Sequence, residues 1–284
     1  MTVYIVTGKL GNGKTLAAVG RIRDYLNEGR RVATNLDLYM ENFRDEKNRN
    51  IHVVRLPDKP SVDDLEALGL GYDGKGYREN KFGLLVLDEC GTWFNSRNWN
   101  DKSRKDVNDW FLHARKKRWD VILIIQDISL LDKQAREALA EYTVFCRRLD
   151  NLRIPIISPL IKMVTGFNPT LPRVHVGIVK YGDNATYPTA DRWWYRGDDL
   201  FKLYDTQQVF LADSCGMHCY LTPWHLVGRY RHRDTLLQQI THAFERVMQR
   251  VLYIEVLAVA WVRGRSPRMQ AKLWGVLKSD SHSL

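Results

Sequence analysis

Short apolar blocks alternate with amphipathic stretches along the first half of the chain. Residues Val3 to Thr7 read as a buried strand. Thr15 to Glu28 reads as a helix, with Leu16, Val19, Ile22 and Leu26 on one face. Further strands are predicted at Arg31 to Asn35, Ile51 to Leu56, Leu84 to Leu87, Val121 to Ile125 and Tyr142 to Arg147. Helices are predicted at Val62 to Leu68, Ser103 to Lys117 and Lys133 to Ala140. Strands alternating with helices predict an α/β fold, with a mostly parallel sheet sandwiched by helices. The uninterrupted apolar strands fit that sheet, because its central strands are buried on both faces.

The texture changes after residue 150. Residues 151–230 are rich in proline, aromatics and period-2 segments such as Val174 to Lys180, which predicts a β-rich extension. From Asp234 the pattern turns helical again. Leu237, Ile240, Phe244, Val247, Val251, Ile254, Ala258 and Trp261 follow a 3-4 spacing. Such a stripe packs on its own domain or pairs between subunits.

The first strand runs into Gly8-Lys9-Leu10-Gly11-Asn12-Gly13-Lys14-Thr15, which fits G-x-x-x-x-G-K-[ST] at every fixed position. Strand before and helix after supply the context such a loop needs. Its glycines let successive backbone N–H groups curl around phosphates, and the helix N-terminus adds partial positive charge. Lys14 is the expected ligand of the β- and γ-phosphates of ATP, and Thr15 of Mg²⁺. A second anchor follows at Leu84-Leu85-Val86-Leu87-Asp88-Glu89, an apolar strand ending in two acids. At the carboxyl edge of the sheet Asp88 would join the Mg²⁺ shell, and Glu89 would polarise the attacking water. Gln126, directly after the strand Val121 to Ile125, either senses the γ-phosphate or orients water, or it simply caps the next turn. The candidate site is therefore Glu89, Lys14 and Gln126 for catalysis, residues Gly8 to Thr15 for nucleotide, and Thr15 with Asp88 for metal. Arg97, Arg115, Arg118, Arg136, Arg147 and Arg148 are candidates for the cation that such phosphoryl transfer requires, and the sequence does not choose among them. The organisation that follows is a P-loop NTPase core over 1–150, the β-rich extension over 151–230 and a basic helical tail over 231–284.

Composition narrows the class. Of 284 residues 44% are apolar and 27% charged, which excludes a disordered or fibrous chain. Lys and Arg outnumber Asp and Glu by 43 to 33, a net charge of +10 that favours acidic partners. Residues 226–284 hold ten Lys/Arg against four acids, with Arg263, Arg265 and Arg268 directly after the apolar run 251–262. That arrangement suits an anionic membrane surface or a solvated tail. The apolar run is 12 residues long and carries Glu255, too short to cross a bilayer. No export signal precedes Val3. Basic residues of the 97–118 region are interleaved with Trp93, Trp99, Trp110 and Trp119. Single-stranded nucleic acid would suit them, although packing of the tryptophans onto the sheet is the favoured reading. The four cysteines are too few for a disulfide scaffold. The C-x₃-C spacing of Cys215 and Cys219, even with His225 nearby, is not a zinc knuckle.

Together the N-terminal loop, Gly83-Leu84-Leu85-Val86-Leu87-Asp88-Glu89 with Trp93-Phe94-Asn95-Ser96-Arg97, and Ile122-Leu123-Ile124-Ile125-Gln126-Asp127 resemble the zonular occludens toxin (Zot) family. The stretches Leu203-Tyr204-Asp205-Thr206, Leu221-Thr222-Pro223-Trp224 and Gly228-Arg229-Tyr230 resemble the end of its cytoplasmic domain. The resemblance covers residues 1 to about 230. It implies an ATP-hydrolysing motor of filamentous-phage assembly and extrusion, related to hexameric DNA-pumping rings, at the cytoplasmic face of the host inner membrane. Implied partners are further copies of the chain in a ring, phage coat and other assembly proteins, single-stranded DNA, and the inner membrane through the basic tail. Family members continue through a transmembrane helix, where this chain shows only the run 251–262. Two alternatives share the core: a DNA-packaging or DNA-translocating ATPase, and a nucleotide-gated scaffold.

Overall fold

The computed structural model describes residues 2–43, 49, 51–93, 102–131, 136, 139–148, 174–184, 186–211, 216–230 and 248. The chain divides into two units, 1–229 and 230–284, and the sheet lies wholly in the first. The helical stripe of 237–261 and the apolar run 251–262 fall outside the described residues, as do Arg97, Trp99, Cys215 and most of the helix expected at Lys133 to Ala140.

Among the described residues, nine strands form one sheet. In chain order they are β1 (Val3–Thr7), β2 (Val32–Thr34), β3 (Val53–Arg55), β4 (Gly83–Leu87), β5 (Trp119–Ile124), β6 (Tyr142–Arg148), β7 (Val174–Tyr181), β8 (Thr189–Arg196) and β9 (His218–Cys219). Their spatial order is β8-β7-β6-β1-β5-β4-β2-β3-β9. The six strands from β6 to β3 are mutually parallel. β7 and β8 add antiparallel strands at one edge, and β9 adds one at the other. Segments of the β-rich region thus continue the sheet at both ends.

Helices cover both faces because each central strand is apolar on both sides. Val6, Leu84, Val86, Ile122 and Ile124 pack with α1 (Lys14–Asn27). Their neighbours Ile5, Leu85, Leu87, Val121 and Leu123 pack with α2 (Val62–Ala67) and α4 (Lys102–His113) on the other face. A short helix, α3 (Cys90–Trp93), lies between β4 and α4. Ser61 caps α2 through a box with Asp64. The helix expected to reach Lys117 ends at His113, and after further turns Arg118 takes a left-handed backbone (φ 60°) that leads the chain into β5. The Arg118 guanidinium holds that turn through the carbonyls of Tyr72 and Gly74. Trp110 and Trp119 are buried in the core. Arg115 pairs with Glu79, and Lys117 with Glu66, near the amino edge of the sheet.

The order of strands decides the site. β5 lies between β1, which leads into the phosphate loop, and β4, which carries the acidic pair. All three end at the same edge because they are parallel and in register, Ile5 opposite Leu123 and Leu87 opposite Leu123. Thr7, Asp88 and Gln126 are thereby brought together from segments far apart in sequence.

Candidate active site

The loop between β1 and α1 closes by local backbone geometry. Gly13 caps the helix in the left-handed region (φ 81°, ψ 33°), where a side chain is strained. A Cβ on Gly13 would also lie 2.2 Å from Nδ1 of His175. Gly8, at φ 150°, passes so close to β6 that a Cβ there would approach the Cys146 carbonyl to 2.9 Å. The Asn12 amide donates to that same carbonyl at 3.1 Å, which ties the loop's crown to β6. Lys14 Nζ curls back and donates to the carbonyls of Gly8 at 2.9 Å and Lys9 at 3.4 Å. The ammonium therefore already sits over the hollow of the loop. Lys9 and Leu10 are exposed at the crown.

The hydroxyl of Thr15 donates to Asp88 Oδ2 at 2.7 Å, although 73 residues separate them. The other oxygen, Oδ1, accepts the Glu89 backbone N–H at 2.7 Å. Asp88 is buried, at 8% exposure. Burial pushes its carboxyl above the usual range, while the Thr15 hydroxyl and the Glu89 amide pull it back down. A desolvated carboxylate facing a threonine hydroxyl beside an N–H-rich loop is a donor set that fits Mg²⁺. Glu89 is exposed and has a left-handed backbone (φ 54°), a conformation costing about 1–2 kcal/mol for a residue with a side chain. Its side chain lines a cavity of about 470 Å³ together with Lys14, Thr15, Asp88 and Gln126. The Gln126 carbonyl accepts from the Thr7 hydroxyl at 3.3 Å, which fixes the end of β5 beside β1.

Of the arginine candidates, Arg148 at the end of β6 lines this cavity. Arg136 pairs with Asp183 at 3.1 Å. Arg115 and Arg118 are engaged near the opposite edge, and Arg97 lies outside the described residues.

Sequence reasoning missed a layer behind and above the site. The side-chain amide of Asn35, just past β2, clamps the Asp88 peptide. Its Oδ1 accepts the Asp88 N–H at 2.8 Å, and its Nδ2 donates to the carbonyls of Asp88 at 3.1 Å and Asp58 at 3.0 Å. Arg55, at 2% exposure, pairs with Asp58 at 2.7 Å and Asp37 at 2.9 Å. The chain then returns from β8 across the carboxyl edge of the sheet. Leu203 O accepts from Tyr39 N, Asp205 N donates to Asp37 O, and Leu211 N donates to Asp58. Gln208 bridges Asp37 N and Asn35 O. This strap adds Phe201, Tyr204, Asp205, Thr206, Gln208 and Phe210 to the cavity wall, and His175 joins them from β7. One signal was available: Asn35 and Arg55 are polar ends of buried apolar strands, as Asp88 and Gln126 are.

Among the described residues no cluster of His, Cys, Asp and Glu has the geometry of a metal site, and no helix is long and apolar enough to cross a membrane.

Comparison with known proteins gives concordant matches. The family model described as zonular occludens toxin (Zot) matches residues 2–185. A Gene 1 protein of Enterobacteria phage fd is 50% identical over 261 residues, covering 90% of this chain and 74% of its own. The Gene 1 protein of Salmonella phage IKe is 53% identical over 257 residues, covering 88% of this chain and 70% of its own. Among solved structures, the N-terminal domain of zonular occludens toxin from Neisseria meningitidis aligns over 72% of this chain and 98% of its own, at 16% identity and a TM-score of 0.40.

Proposed function

The chain belongs to the zonular occludens toxin (Zot) family, and from that premise we propose that it is an ATP-hydrolysing motor of filamentous-phage assembly and extrusion. The observation that carries this reading is the 2.7 Å bond between Thr15 Oγ1 and Asp88 Oδ2. It joins a phosphate-binding loop to a strand-end acid inside a cavity that Glu89 and Gln126 also line. A passive phosphate-binding loop would need neither acid.

Residues Gly8 to Thr15 wrap the triphosphate with backbone N–H groups, and Lys14 leaves the Gly8 and Lys9 carbonyls for the β- and γ-phosphates. Thr15 and Asp88 would hold Mg²⁺, which when bound neutralises charge on the β- and γ-oxygens. Glu89 accepts a proton from water as the water oxygen bonds to the γ-phosphorus. The bond from that phosphorus to the bridging oxygen breaks, leaving ADP and phosphate, and the proton passes from Glu89 to the phosphate. Gln126 orients the water from the end of β5. Arg148 is the arginine candidate among the described residues that lines this cavity, and a ring of identical subunits would supply another from a neighbour.

Residues 1–150 act in this reading as the motor core, 151–230 as an extension of the same domain, and 231–284 as a basic tail for the inner membrane. Coat and other assembly proteins, and single-stranded DNA, are the clients.

An ATPase assay tests the proposal. Lys14→Ala is expected to abolish nucleotide binding and turnover. Glu89→Gln is expected to bind nucleotide and not hydrolyse it. Normal hydrolysis by Glu89→Gln would remove Glu89 from its role, and normal hydrolysis by Lys14→Ala would end the motor reading. The mass of the assembly with and without an ATP analogue tests the ring.

A further inference from the structure

The cavity at the β1–α1 loop is lined by more than the loop and the two acids. Polar Lys14, Thr15, Asp88 and Glu89 share its lining with the rings of His175, Phe201, Tyr204 and Phe210. His175 sits directly over Gly13, with its Nδ1 3.3 Å from the Asn12 carbonyl. The Phe201 ring meets His175 edge to face, with centroids 6.2 Å apart at 79°. Phe201 rests on bare backbone at Gly197, where a Cβ would come within 2.3 Å of its ring. It nevertheless stays 43% exposed. Tyr204 and Phe210 complete the wall. A nucleotide whose phosphates lie at Lys14 has this wall in the same cavity.

Building on the reading of Gly8 to Thr15 as a nucleoside-triphosphate loop, we propose that Phe201, seated against His175, is the platform on which the nucleobase stacks. The ligand class is a purine nucleoside triphosphate, whose fused rings offer the larger stacking face. The Gln208 side chain is held in place by bonds from Asp37 N at 2.8 Å and to Asn35 O at 2.9 Å. The contribution of Phe201 is stacking area, which tolerates different hydrogen-bonding edges. Phe201 and the phosphate loop are separable contributors: one touches the base, the other the phosphates.

The experiment compares two probes on the full chain by calorimetry, ATPγS and inorganic tripolyphosphate, the second lacking a base. Phe201→Ala is expected to weaken ATPγS about tenfold, the usual scale of one lost base–aromatic stack, and to leave tripolyphosphate unchanged. Phe201→Leu, which keeps the apolar volume, is expected to behave like Phe201→Ala, and Phe201→Trp to bind ATPγS as tightly as the parent. Lys14→Ala is expected to weaken both probes. Equal losses for both probes in Phe201→Leu, or no loss for either, would overturn the platform while leaving the phosphate loop standing. Failure of the parent chain to bind tripolyphosphate would instead remove the loop reading, and the platform with it.

Discussion

Replacing Gly13 by alanine perturbs the site at one atom, and the structure gives the scale of the damage. Two separate costs arise. Gly13 sits at φ 81° and ψ 33°, a left-handed conformation that charges about 1–2 kcal/mol to any residue with a Cβ. The new methyl would also stand 2.2 Å from Nδ1, 2.9 Å from Cγ and 3.0 Å from Cε1 of His175. The His175 ring must retreat by about 1 Å to restore ordinary contact. It is only 5% exposed, and Phe201 and the Asn12 carbonyl lie against it. Such overpacking costs about 1–3 kcal/mol, for a total of about 2–5 kcal/mol. Urea unfolding of Gly13→Ala, His175→Ala and the double variant separates the two parts. With His175 truncated the methyl has room, so the double variant is expected to lose about 1–3 kcal/mol less than the two single losses added. Strict additivity would refute the claim that β7 presses on the phosphate loop.

Other expectations follow from the buried polar layer. Asn35→Ala leaves the Asp88 N–H and two carbonyls without their side-chain partner. It should cost about 1–3 kcal/mol in denaturant unfolding and lower the rate of ATP turnover, because Asp88 is no longer held. Asp58→Ala leaves Arg55, at 2% exposure, with Asp37 as its remaining ion-pair partner, and should lower unfolding free energy by about 3–5 kcal/mol in a thermal or urea melt. Asp88→Asn removes a desolvated carboxylate and should raise the melting temperature of the nucleotide-free chain, while Mg²⁺-dependent nucleotide binding is lost in calorimetry. Burial pushes the Cys146 thiol up to about 12 and the Cys90 thiol well above its ordinary value, so neither supplies thiolate at pH 8. Of these and the exposed Cys219, iodoacetamide followed by mass spectrometry should find Cys219 modified first.

The bend between β1 and α1 was legible because its signals are local. A five-residue apolar strand, a run of glycines and a lysine–threonine pair opening an amphipathic helix are all consecutive, and their backbone preferences hold wherever the chain places them. Strand positions were legible for a similar reason: β4 is buried at all five positions, and β5 at all six. The break at Arg118 was less visible, since the helical pattern runs on past His113 and the Tyr72 and Gly74 carbonyls that hold the Arg118 guanidinium lie 46 and 44 residues away.

Periodicity and loop chemistry, properties of neighbouring residues, determined that this chain builds a mostly parallel sheet with a glycine-rich bend at its start. Which strands stand side by side is not such a property. Tertiary structure alone slid β5 between β1 and β4, and so set Gln126 between Thr7 and Asp88. It alone drew the strap over the cavity, through bonds such as Gln208 to Asn35 that span 173 residues, and it gave Asn35, Arg55 and His175 their places around the site. The physical reason is that contacts across such separations are selected by how whole helices and strands pack, and no window along the sequence holds both partners.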